Sequence, residues 1–179
     1  MKRSLFVVGC LFAIVACISL VSQAPAQNVN PVIGTWKLNA EKSTYSPGPP
    51  PPKGSGAVRQ YAAGVDGSIV AVTFNIDSSG LPSLGAISAA NYDGKEYAQH
   101  TVATLATSLS SHIAPKIERT ISYTPRDQYT VNIVQKQDGK IVGSSVRTIS
   151  RDGKTLTDRS DFTDASGSRV ANVLVFEKQ

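Results

Sequence analysis

From Pro31 onward, short runs rich in Val, Ile, Thr and Tyr alternate with pairs of turn-forming residues. The pairs are Asp66-Gly67, Ser79-Gly80, Asp93-Gly94, Asp138-Gly139, Asp152-Gly153 and Ser166-Gly167, at steps of 13, 14, 45, 14 and 14 residues. Asp-Gly suits a two-residue hairpin loop, because both central residues then need positive φ. A strand of about ten residues plus a tight turn repeats on this step. The pattern predicts strands over 31–38, 57–63, 68–76, 81–92, 117–124, 128–137, 140–150, 155–163 and 169–177. Nine or ten strands joined by hairpins form a meander, and a meander this long closes on itself to remove its edges. The expected fold is therefore all-β, an antiparallel up-and-down barrel of about 8–10 strands.

The rhythm breaks between Asp93 and Asp138. Over 101–113, Val102, Leu105, Leu109 and Ile113 recur at helical spacing, although the Thr and Val content also suits a strand. A short helical cap or an elongated loop near one barrel mouth is the expectation for 101–113. A second irregularity is the proline tract Pro47-Gly48-Pro49-Pro50-Pro51-Pro52, closed by Lys53. Consecutive prolines favour extended polyproline II, so 46–53 reads as a stiff surface loop after the first strand.

The polarity of the faces bears on the kind of barrel. On the strand from Lys140, one face reads Ile141, Gly143, Ser145, Arg147, Ile149 and the other Val142, Ser144, Val146, Thr148. A lipid-facing strand needs one unbroken apolar face, and neither qualifies. The expectation is a water-surrounded barrel with no transmembrane span in its mature form.

Residues 1–26 read as a signal peptide. Met1-Lys2-Arg3 is basic, 4–21 is apolar, and Ala24-Pro25-Ala26 fits a cleavage site that leaves Gln27 first. The alternative is a lipoprotein acylated at Cys17, since Ile14-Val15-Ala16-Cys17 resembles a lipobox; against it, the apolar core continues through Val21. The expected location is periplasmic or secreted. Cleavage leaves 153 of 179 residues, one domain over 27–179, and removes both cysteines, Cys10 and Cys17. Packing and hydrogen bonds, not disulfides, must then hold the fold. Of the net +5 charge, two units belong to Lys2 and Arg3. The remaining charges are scattered, which argues against nucleic-acid binding.

Motifs for catalysis or cofactors are absent from the sequence. His100 and His112 lie twelve apart without a ligand at i+2 or i+4, so no metal site is expected. Asp158 and Asp161 fall on opposite strand faces. No G-x-S-x-G elbow or glycine-rich phosphate loop occurs.

Two arginines draw attention instead. With Asp152-Gly153 as a two-residue loop, Arg147 faces Asp158, Ser145 faces Ser160, and Gly143 faces Phe162. That register sets opposite charges across from each other. A bulged loop would set Val146 against Asp158. The Arg147–Asp158 pair is either an exposed surface pair of little energetic value or an ionic pair within a partly polar lumen. Arg119 shares a face with Ile117, Ile121 and Tyr123, as an inward anchor for an anion or a snorkelling edge residue.

Gly34-Thr35-Trp36 fits the G-x-W signature of lipocalin-like barrels. The longer opening NPVIGTWKLNAEKSTYSPGPPPPK and the closing DGKTLTDRSDFTDASGSRVANVLVFEKQ resemble a group of small exported bacterial proteins with a lipocalin-like domain. The stretch from about Gln99 to Pro115 departs from that pattern. The resemblance implies a calycin-type barrel with Gly34 and Trp36 near its closed end. It also implies a late arginine stacked on Trp36, for which Arg169 is the candidate by position. The leading functional expectation is a small apolar or amphiphilic ligand in the lumen, with Arg119, Tyr123 and Arg147 as polar contacts and no cofactor. The alternatives are a filled barrel acting as an envelope interaction or stress protein, and a barrel enzyme, isomerase or hydrolase, without a recognisable motif.

Overall fold

The computed structural model describes residues 30–102, 119–163 and 166–179. Twelve strands occur among them: β1 (Gly34–Thr44), β2 (Gly56–Ala63), β3 (Ile69–Ile76), β4 (Pro82–Ala90), β5 (Tyr97–Thr101), β6 (Arg119–Pro125), β7 (Thr130–Gln137), β8 (Lys140–Ile149), β9 (Thr155–Ser160), β10 (Phe162–Thr163), β11 (Arg169–Val170) and β12 (Val173–Lys178). Ten of them close a barrel in the order β1-β12-β9-β8-β7-β6-β5-β4-β3-β2. Every neighbouring pair is antiparallel. The all-β antiparallel barrel expected from the turn spacing is the observed fold. Of the expected cap, Thr101 ends β5, and 103–113 lies outside the described residues.

The meander is interrupted once. Expected single strands over 155–163 and 169–177 are each broken, and β10 and β11 pair with one another as a separate ribbon. Phe162 therefore faces Val170, not Gly143. Asp161 marks the departure: its N–H still donates to Ser144 O at 3.3 Å, but its carboxylate turns outward to Arg169. Gly143 pairs instead with Gln135 of β7.

The hairpin between β8 and β9 keeps the expected register, with Arg147 opposite Asp158 and Ser145 opposite Ser160. Its loop is not the expected two-residue turn. Gly153 N–H donates to Ser150 O at 2.8 Å and Ser150 N–H to Thr155 O at 2.9 Å, which makes a four-residue loop. Gly153 alone takes positive φ there, at 68°. Only Asp138-Gly139 has both residues at positive φ, 50° and 77°, as the tight hairpin turn requires.

Strand direction assigns the connections to two ends. One end carries residues 30–33, 64–68, 91–96, 126–129 and 150–154. The other carries the proline loop, residues 77–81, Asp138-Gly139 and the β10–β11 ribbon. The first end holds the main core cluster, Val32, Trp36, Tyr61, Ile69, Ile149, Leu156 and Phe176. Ala90, Ile121, Tyr123, Val131 and Ile133 form a second cluster on the facing wall.

Candidate functional site

The strands that wall the lumen alternate, so each contributes every second side chain. At mid-height this alternation brings in charge. One row of cross-strand partners across β7, β8, β9 and β12 reads Val131, Arg147, Asp158, Leu174. Arg147 and Asp158 are 5% and 4% exposed, so this is a buried ion pair and not a surface one. Arg147 Nε donates to Asp158 Oδ1 at 3.0 Å and Nη2 to Oδ2 at 3.3 Å, a bidentate fork. Arg59, from β2 on the other side of β1 and β12, also donates to Asp158 Oδ2 through Nη1.

Aromatic faces hold both guanidiniums. Arg59 lies 4.2 Å from the Phe176 ring centroid, and Arg147 lies 4.9 Å from that of Tyr61 and 5.9 Å from that of Tyr123. Such contacts stabilise a desolvated cation. Burial works against ionisation of Asp158, but the two arginines outweigh it and hold the carboxyl below its ordinary range. Burial likewise opposes the charge on Arg147, and Asp158 more than offsets it. Two cations against one anion leave the lumen one positive charge in excess.

Two buried polar atoms of this cluster lack a close partner. Arg147 Nη1 is buried and has no hydrogen-bond partner. The Tyr92 hydroxyl, also buried, makes no close hydrogen bond either, although it lies near enough to Arg147 for a side-chain interaction between the two. Tyr92 stacks on Tyr123 with centroids 4.8 Å apart. Burial raises the Tyr92 phenol well above its usual range, and nearby Arg147 offsets part of this, so Tyr92 is a neutral hydrogen-bond donor and not a base. Burial raises Tyr123 too, and its hydroxyl bonds to Ser88.

Arg147 borders two cavities. The outer one, about 540 Å³, lies at the end where β1 begins, between Val32, Tyr92, Tyr129, Val131 and Ile149. Its mouth carries Asp127, Arg151 and Asp152. The inner one, about 140 Å³, lies within the barrel and is bordered by Arg59, Tyr61, Tyr123 and Asp158 as well as by serines and glutamines.

The structure thus brings Arg147, Tyr123 and Asp158 together and separates Arg119 from them. Arg119 opens β6, on the strand face of Ile121 and Tyr123 but at the opposite end, and lines neither cavity. Its Nε donates to Gln137 Oε1 at 3.2 Å. Ile117 lies outside the described residues. The stacking expected of Arg169 is also corrected: Arg169 is exposed and forks onto Asp161 at 2.9 and 2.8 Å. The late cation over Trp36 is Lys178, whose Nζ is 5.2 Å from the ring and which pairs directly with Trp36 between β1 and β12. Gly34 is explained by its backbone, whose φ of 136° an L side chain rarely adopts; a Cβ there would also meet the Lys178 Cε at 2.7 Å. Sequence reasoning missed Arg59 and Tyr92. Arg59 is 99 residues from Asp158, and Tyr92 follows the end of β4 in a loop, where alternation gives no inward or outward assignment.

No protein-family model matches the chain, and no curated protein sequence is detectably similar to it.

Proposed function

We propose that this chain is an exported, lipocalin-like binding protein that takes a small amphiphilic acid, its carboxylate on Arg147 and its apolar body in the outer cavity. One observation carries the reading. A buried guanidinium, fixed by Asp158 and held against Tyr61, leaves Nη1 without a close hydrogen bond on a residue that borders both cavities. A buried donor without a partner costs about 1–3 kcal/mol, more when charged. An acceptor supplied by a ligand removes that cost. The excess positive charge selects an anionic acceptor, and Tyr92 supplies a second donor beside it. Because Asp158 and the rings fix Arg147 in advance, little ordering remains to oppose binding. The outward positions of the barrel include Lys37, Gln60 and Arg159, consistent with an aqueous surround.

The test is displacement of a fluorescent fatty acid. Dodecanoate is expected to bind more tightly than dodecanol. Arg147→Gln should reduce that preference roughly tenfold or more, since charged hydrogen bonds contribute about 1.5–3 kcal/mol. Tyr92→Phe keeps the ring stack, is expected to fold, and should weaken dodecanoate by about threefold to tenfold. Equal affinity for acid and alcohol, or no displacement by either, would sink the reading.

Export is tested separately. Mass spectrometry of the protein from its native envelope should find a chain beginning at Gln27 without lipid. A chain beginning at diacylated Cys17 would replace the free binding protein with an anchored one.

A further inference from the structure

We infer that the ligand's head is compound: a carboxylate that stops at Arg147, and a neutral hydrogen-bonding group that continues past it into the inner chamber. This rests on the acid-binding reading above and specifies the ligand as an N-acylated hydroxy amino acid or a headgroup of the same chemistry. The inner chamber is the reason. A barrel that takes only hydrocarbon needs apolar walls at its centre. Here the centre presents Ser88, Gln99, Gln135, Ser145 and Ser160. At about 140 Å³ the chamber has room for about four water-sized groups, enough for a hydroxymethyl or amide and too little for a chain.

Its amides are placed, not merely present. Gln135 Nε2 donates to Gln99 Oε1 at 3.1 Å, which orients both side chains. An amide pair joined this way keeps acceptor capacity on Gln135 Oε1 and donor capacity on Gln99 Nε2. Gly143 sits opposite Gln135, and a Cβ there would come within 2.8 Å of Gln135 Oε1. The missing side chain is what lets that oxygen lie where it does. Arg147 borders both chambers, so a head branched at one carbon places its carboxylate on the guanidinium and its second polar group beyond it.

The experiment compares N-dodecanoylserine, N-dodecanoylalanine and dodecanoate in the same displacement assay. The first two differ by one hydroxyl. The serine derivative is expected to bind about tenfold more tightly than the alanine derivative, the size of one or two satisfied hydrogen bonds. Gln135→Leu should bring that ratio close to one; Ser145→Val, which fills the chamber from another strand, should do the same and serves if the first variant does not fold. Equal affinity for the two derivatives, with dodecanoate bound, overturns the compound head and leaves the acid-binding reading standing. A ratio that survives in a folded variant overturns the role of the inner chamber. Failure of all three to bind overturns both readings.

Discussion

Asp158→Ala is expected to destabilise the barrel by about 3–5 kcal/mol, the range for breaking a buried ion pair from one side. The carboxylate is the only acidic side chain bonded to Arg59 and Arg147 among the described residues; Arg147 is buried and the Arg59 side chain is 17% exposed. Removing it leaves two like charges facing each other with no counter-charge between them. Urea unfolding followed by the fluorescence of Trp36 reads the loss; a change under about 1 kcal/mol would show the lumen to be wetter and more forgiving than its geometry implies. The companion variant is informative in the other direction. Replacing Arg59, Arg147 and Asp158 together by Met, Met and Leu should cost little or stabilise the fold, because apolar substitutes escape desolvation. A charged cluster that the fold does not need then has its reason in what it binds.

The same cluster sets a pH dependence with a definite sign. The folded-state pKa of Asp158 lies below its ordinary value, by the attraction of Arg147 and Arg59 overcoming burial. Its stabilising contribution is fully present above the unfolded-state value of about 3.9 and is lost as pH falls through the lower folded-state value. Stability from this group should be flat between about pH 5 and 8 and decline only below about pH 4.

How much of this was legible in the sequence depends on the distance between the partners. Arg147 and Asp158 are eleven residues apart, on either side of one turn, so charge pairing and turn position together set their register. It held although the loop differs, because a two-residue and a four-residue loop centred on the same point oppose the same residues. At Asp66-Gly67 the centring changes: Gly64 N–H donates to Ser68 O at 2.7 Å, so three residues form the loop, and Asp66 caps Ser68 N–H at 3.1 Å. The two-residue turn expected for that dipeptide is thus corrected; it moves the register by one and reverses the faces. The barrel survives such local differences because alternation and turn spacing set it collectively. The site does not share that protection. Arg59 meets Asp158 only once β12 has closed the barrel, and no local pattern marks it. Arg119 and Arg147 both read as inward by alternation, and what separates them is height along the strand. Arg119 starts β6 directly after a stretch outside the described residues, where spacing no longer measured position, whereas Arg147 sits seven residues into β8.

Trp36→Ala is the other large effect expected, a loss of about 3–5 kcal/mol. Trp36 is the single tryptophan of the chain and is fully buried. Its ring packs in the cluster with Val32, Leu156 and Phe176 at the end bordered by the outer cavity. Its Nε1–H donates to Val32 O at 2.8 Å, so it also fastens the segment that leads into β1. Truncation opens a void of indole size and frees that segment together. Trp36→Phe separates the two roles: it retains most of the ring but leaves the Val32 carbonyl unpaired, and should cost about 1–3 kcal/mol. Circular dichroism in urea measures both variants, since neither retains the fluorophore. In the unmodified protein the emission maximum should be that of a buried indole, and should move to longer wavelength only as the barrel unfolds. An exposed-type maximum in the folded state, or an alanine variant with unchanged stability, would contradict the packing of this end. It would also remove Val32 as a wall of the outer cavity, because the Trp36 hydrogen bond is what holds that segment in place.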